Sequence, residues 1–249
     1  MSDIPSQAER DSQLAQRERS KIEGRFGAVL LLLGTVVFCS IALPDWPWSL
    51  LLTTVVLATA LSIAMLAAGV QQKVVRAWLG VAVVGVGVSI FIALTIEAKV
   101  AGAYLALTGL VLTLGTIGAI ARRILRHVEI SLLTVLGAVC IYVLLGLSFA
   151  FVYQAIGDLG SQPLFASQEG GTRSDYVYFS FITMATVGYG DLTPQGGLGR
   201  ALAVTEGLLG QIYLVTAVAA LVGNLGRTRA SRQGRDKEVL EEDERRDGR

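Results

Sequence analysis

Six stretches of this chain, residues 26–43, 48–70, 77–96, 100–121, 130–153 and 201–225, are apolar almost without interruption. A helix rising ~1.5 Å per residue needs ~20 such residues to cross ~30 Å of hydrocarbon, and each stretch is about that long. In lipid every backbone amide must find its partner inside the protein, which favours helices over open sheets. Composition agrees, with 53% hydrophobic and 16% charged residues in a chain of 249, the signature of a membrane class. The expectation is an all-α membrane protein with six transmembrane helices.

Orientation follows from the basic residues. With the N-terminus in the cytosol, 18 of the 21 Lys and Arg lie on inner segments, leaving Lys99, Arg173 and Arg200 outside. Basic residues favour the cytosolic side, so both termini are expected there, in a multi-pass protein of the cell membrane. About 25 polar residues precede the first apolar run, more than the n-region of a cleaved signal peptide usually holds.

The segment between the last two runs then enters from outside, and it holds Thr183-Met184-Ala185-Thr186-Val187-Gly188-Tyr189-Gly190-Asp191. A row of backbone carbonyls can replace the hydration shell of a potassium ion without adding net charge. For successive carbonyls to face one axis the backbone must alternate between ordinary and left-handed dihedrals, which glycine does at little cost. Gly188 and Gly190 meet that need, while Val187 and Tyr189 turn their side chains outward. The expected ion ligands are the carbonyls of Thr186, Val187, Gly188 and Tyr189, with the Thr186 hydroxyl at the inner end. Just ahead, residues 175–185 read as a short helix with Ser174 as N-cap. Its negative C-terminal end would face the ion.

From residue 130 to about residue 226 the chain resembles the pore module of tetrameric potassium channels. Thr183 through Asp191 match the signature T-x-x-T-x-G-Y-G-D in full. The resemblance is to the six-helix, single-pore-loop type of prokaryotes, with a re-entrant pore helix and selectivity filter between helices five and six. It implies a homotetramer, four copies of one filter segment around one axis. Asp191-Leu192, Pro194 and Gly199-Arg200 keep the family's spacing to the inner helix. Gly210 falls where many members have a hinge glycine, although close helix packing would also select glycine there. Tyr178 aligns with the aromatic that reaches Asp191 in other members, and Thr183 and Gly190 complete the filter's support. Two positions depart from the pattern: Ala185 replaces a threonine at the cavity roof, and Ile182 stands where some bacterial members carry a glutamate. Thr193 occupies the outer-mouth position where an aromatic favours external quaternary ammonium block, so such block should be weak.

The first four runs resemble a voltage sensor in number and placement, and in nothing else. Moving one charge through the field supplies ~2.3 kcal/mol per 100 mV, so several charges per subunit are required. Residues 100–121 carry none, and the first three runs hold no acid or base that could act as counter-charge. Steep voltage dependence is not expected. Arg122, Arg123 and Arg126 lie past the fourth run as cytosolic anchors, with the single histidine, His127, beside them. Cys39 and Cys140 fall inside apolar runs and read as small buried residues.

Glu206 interrupts the last run, where an ionised side chain costs roughly 2.5–3.5 kcal/mol. Two readings stand: a hydrogen bond to the pore helix at Ser180 or Thr183 that tunes the filter with pH, or a carboxyl reaching outer water or Arg200. Further along, Leu214, Val218 and Val222 recur every fourth residue, as pore-lining or lipid-facing side chains.

The chain divides by composition into a polar N-terminal segment (1–25), a four-helix module (26–121), a linker (122–129), the pore module (130–226) and a charged tail (227–249). The tail reads as disordered or a short charged helix. A net charge of +1, with bases gathered at membrane edges, points to no nucleic-acid partner. No small-molecule ligand or cofactor is indicated beyond the permeant ion, and membrane lipid is the expected surrounding. Residues 197–203 superficially echo a dinucleotide loop, but no strand precedes them. With that and a single histidine, no enzyme is expected. The alternatives are a subunit of a potassium-uptake transporter, or a nonconducting sensor or accessory subunit.

Overall fold

The computed structural model describes residues 7–43, 47–126, 132–166 and 171–247, and every element in them is helical apart from one isolated bridge. The helices are α1 (Gln7–Ala42), α2 (Pro47–Ala67), α3 (Gln72–Thr95), α4 (Ala98–Arg126), α5 (Leu132–Leu159), α6 (Arg173–Met184) and α7 (Gly196–Asp247). Five contain stretches long and apolar enough to cross a membrane: Arg25–Ala42, Gln72–Thr95, Ala98–Arg126, Thr134–Leu159 and Gly196–Ala220. α2 is itself 21 residues long and apolar throughout, its described side chains beginning at Leu52. His127 and the start of the fifth apolar run, residues 130 and 131, lie outside the described residues.

Local chemistry sets the boundaries. α2 ends on Gly69 at φ +75°, with the Val70 amide donating back to the Met65 carbonyl at 3.0 Å and the Gly69 amide to Leu66 at 3.1 Å. That paired arrangement caps a helix through one left-handed residue, which suits glycine. α7 runs 52 residues, far past the apolar run. The charged tail to Asp247 is helical, one of the two readings its composition allowed, and continues the last helix.

One hydrophobic core runs through α1, α2, α4 and α5, with Phe26, Leu33, Leu61, Ile120 and Leu144 buried in it. Small residues let the helices approach: Gly109 of α4 faces the Phe151 ring of α5, and Gly115 faces Trp78 of α3. Hydroxyls join the same helices, Ser148 Oγ donating to Thr113 Oγ1 at 3.0 Å and Ser89 Oγ to the Ala101 carbonyl at 2.9 Å. α1 and α4 thus pack along α5 of the same chain, with α2 and α3 joined to them, and α1 reaches α6, where Ser174 Oγ donates to the Ile41 carbonyl at 3.1 Å.

A second, smaller cluster holds α6 between α5 and α7. Tyr153, Leu164, Phe165, Tyr176 and Phe179 are buried together, with Phe179 edge-on to both Tyr153 and Phe165 at centroid separations of 5.0 and 5.2 Å. Such edge-to-face pairs add to the area they bury. Outside α6 the loop after α5 clasps the loop before α7: the Ala166 amide donates to Thr193 at 3.0 Å and the Gln195 amide to Leu164 at 2.6 Å. The segment between α6 and α7 is therefore held on a three-helix frame.

Candidate ion-conduction site

Helix α6 is opened by Thr172, two residues earlier than Ser174. Asp175 at the third helical position completes a capping box, its Oδ2 accepting from the Thr172 amide at 2.7 Å while its own amide donates to Thr172 Oγ1 at 3.2 Å. Ser174 sits inside the first turn and spends its hydroxyl on α1 instead. At the other end, the Thr186 amide donates to the Thr183 carbonyl at 3.0 Å, and the Val187 and Gly188 amides both donate to Ile182 at 2.9 and 3.2 Å. The start of the filter segment is thereby hung from the C-terminal turn of α6.

Beyond that anchor the backbone alternates. Thr186, Gly188 and Gly190 have φ of 57°, 52° and 80°, whereas Val187 and Tyr189 are not in the left-handed region. Every second residue is therefore reversed, which is the geometry that brings consecutive carbonyls to one side of an extended strand. Glycine takes this position freely at 188 and 190. Thr186 does so as a β-branched residue, at a cost of roughly 1–2 kcal/mol, a strain of the kind that concentrates at functional sites. The whole segment 185–191 is exposed in the single chain, Tyr189 at 74% and Val187 at 50%, and a Cβ at Gly188 or Gly190 would meet nothing within 4 Å. At the outer end the Tyr178 phenol lies by the Asp191 carboxylate, which pushes it up from its ordinary range.

Behind the segment, Met184 is fully buried at the foot of α6. Its side chain is pinched between glycines of two other helices: a Cβ at Gly146 of α5 would lie 2.9 Å from Met184 Cε, and one at Gly210 of α7 would lie 2.6 Å from Met184 Cγ. Close packing at Gly210 is thus visible. The Tyr142 hydroxyl donates to the Met184 carbonyl at 3.3 Å.

Glu206 is 0% exposed. Its Oε2 accepts from Tyr153 Oη at 2.7 Å, and its Oε1 lies 2.5 Å from Ser180 Oγ, which is also 2.7 Å from the Gly146 carbonyl. Ser180, rather than Thr183, is its contact on α6, and the pairing with Arg200 is absent because that side chain turns to the Pro194 carbonyl at 3.5 Å. Tyr153, Tyr142, Gly146 and Met184 carry no signature in the sequence beyond an aromatic, a glycine or a methionine in an apolar run. Gly146 and Tyr153 do stand seven residues apart, two turns of one helical face.

Leu214 and Val218 are 43% and 50% exposed. They border an apolar groove of about 450 Å³ between the end of α4, α5 and α7. The Val222 side chain lies outside the described residues.

Residues 138–226 match the family model described as ion channel. The chain carries an ion-channel domain. That domain spans most of α5, all of α6, the alternating segment and the apolar part of α7. Among known proteins, the inward rectifier potassium channel Kirbac3.1 of Paramagnetospirillum magnetotacticum is 33% identical over 90 residues, 36% of this chain and 29% of that protein. Protein LctB of Geobacillus stearothermophilus is 42% identical over 78 residues, 29% of this chain and 56% of that one. An uncharacterized membrane protein of Bacillus subtilis, YdjJ, is 35% identical over 66 residues, 26% of this chain and 19% of that one. The chain therefore spans only part of the relatives it matches. The potassium-channel resemblance carried by Thr183–Asp191 sits inside the matched domain, in a multi-pass helical membrane protein.

Proposed function

We infer that four copies of this chain form a potassium-selective channel, in which the carbonyls of Thr186, Val187, Gly188 and Tyr189, with the Thr186 hydroxyl, replace the water around the ion. The observation that carries this reading is the alternation of left-handed φ at Thr186, Gly188 and Gly190 in a segment with the potassium-channel signature. One chain supplies one such strand, so a closed cage of oxygens needs several around an axis, and a homotetramer closes it. The strand's exposure and the exposed apolar flank of α7, Val204, Leu208, Ile212 and Val215, suit burial against neighbouring copies.

The six-span topology puts both termini in the cytosol of a cell-membrane protein and lets α6 enter from outside. Residues 26–121 form the sensor-like module, 130–226 the pore module, and the absence of charge from residues 100–121 makes the channel weakly voltage dependent. Gly210 and the flank bearing Leu214, Val218 and Val222 belong to the inner half of the pathway. Purified protein in potassium-loaded vesicles tests this reading. Potassium flux should exceed sodium flux and vanish in Gly188→Asp, whose side chain and charge replace the left-handed glycine. Equal passage of both ions by the wild type would reject it.

A further inference from the structure

The cleft where α5, α6 and α7 meet poses a hydrogen count. Ser180 Oγ carries one hydrogen, yet two acceptors stand within bonding distance of it, the Gly146 carbonyl at 2.7 Å and Glu206 Oε1 at 2.5 Å. A carbonyl oxygen has no hydrogen to give, and neither does a carboxylate. With Glu206 ionised, one of these two contacts would set lone pairs against each other at close range. With a proton on Oε1 every contact is satisfied: Glu206 donates to Ser180, Ser180 donates to Gly146, and Tyr153 donates to Oε2 at 2.7 Å.

The surroundings agree. Glu206 has no exposure to solvent. The groups facing it are Tyr153 and Tyr142 from α5 and Ser180 from α6. No charged side chain faces it from either helix among the described residues, and Arg200, on its own helix, is exposed and turned to the Pro194 carbonyl. A buried charge without a counter-charge is strongly disfavoured, whereas a neutral carboxyl with both oxygens bonded is at ease there.

We propose that this cleft is a proton-binding site: Glu206 holds a proton at neutral pH and, through Ser180, maintains the bond to Gly146 that fastens the pore helix to α5. Loss of the proton as pH rises turns the Ser180 hydrogen toward the carboxylate, releases Gly146 and leaves a charge between three packed helices. Glu206 acts as a positioning residue, reaching the ion path only through α6, at Ser180, two residues before the filter strand's anchor begins at Ile182. The consequence for conduction rests on the channel reading above, while the proton site itself does not.

The test is infrared difference spectroscopy of the full chain in lipid vesicles from about pH 6 to about pH 9, a range that brackets buried carboxyls. The carbonyl stretch of a neutral carboxyl is expected at neutral pH, fading as pH rises and missing in Glu206→Gln. Absence at neutral pH of any carboxyl band that depends on Glu206 overturns the proposal. Should Glu206→Gln fail to assemble, Tyr153→Phe serves: it removes the donor to Oε2, and the band must move to higher frequency, an unmoved band being contrary. Potassium flux gives the second readout. The wild type should lose flux by roughly tenfold across that range, and Glu206→Gln, a neutral isostere that still donates to Ser180, should stay flat. A glutamine variant that follows the wild-type profile refutes the relay. The band is read whether or not potassium passes, so a failure of selectivity bears on the channel reading alone.

Discussion

Gly210 of α7 lies against Met184 at the foot of the pore helix, so close that a methyl group added to the glycine would stand 2.6 Å from Met184 Cγ and 3.3 Å from its carbonyl oxygen. A similar approach by Gly146 on the opposite side leaves the methionine no slack.

Gly210→Ala must therefore push Met184, the neighbour of Thr183, whose carbonyl helps anchor the filter segment. The cost expected for overpacking is about 1–3 kcal/mol. Gly207, one turn earlier with open space where a Cβ would go, is the control, and Gly207→Ala should be neutral or stabilising by up to ~1 kcal/mol from helix propensity. Unfolding of the two variants in detergent compares them. Equal stability would remove the packing role and leave Gly210 as a hinge.

The capping box at Thr172 and Asp175 ties the outer end of the same helix. Thr172→Ala should weaken it by about 1 kcal/mol and Thr172→Ser hardly at all. Amide exchange over residues 173–176 should then rise roughly fivefold in the alanine variant only. If Ser174→Ala has the larger effect on those amides, the cap has been placed at the wrong residue.

At the filter's outer end the Tyr178 hydroxyl lies by the Asp191 carboxylate. The carboxylate makes the phenol keep its proton more tightly in the folded protein than in the unfolded chain. Its contribution is therefore complete below the ordinary phenol range and is lost only as pH climbs through the raised value, so it is intact at neutral pH. Removing the hydroxyl in Tyr178→Phe should speed slow closure at the filter by roughly fivefold, the worth of about one hydrogen bond. Slow closure with wild-type kinetics in that variant would show that the pair supports nothing.

Much of this architecture was legible because a bilayer admits so few backbones. Long apolar runs had to be helices, and Gly188 and Gly190 marked where the chain must reverse. Thr186 was not legible as left-handed, because sterics argue against a β-branched residue there, and the bond from its amide to the Thr183 carbonyl is visible only in the fold. Ser174 reads as the cap in the sequence because it and Thr172 are both hydroxyl residues at the start of the helix, and the choice turns on which one Asp175 can reciprocate. Glu206 announced itself by its cost, and Ser180 by its spacing. Tyr153 stayed silent, since a tyrosine in an apolar run looks the same whether its hydroxyl meets water or a buried carboxyl. The helical continuation of α7 to Asp247 was hidden by composition, charged residues being as common in disordered tails as on solvated helices.

The central claim is that backbone oxygens of Thr186 to Tyr189 select potassium, and the reversal potential of the wild type with potassium on one side of a bilayer and sodium on the other measures it most directly. The account predicts a reversal potential displaced strongly in the direction set by potassium, with no measurable current in Gly188→Asp. A reversal potential near zero with current flowing would contradict it.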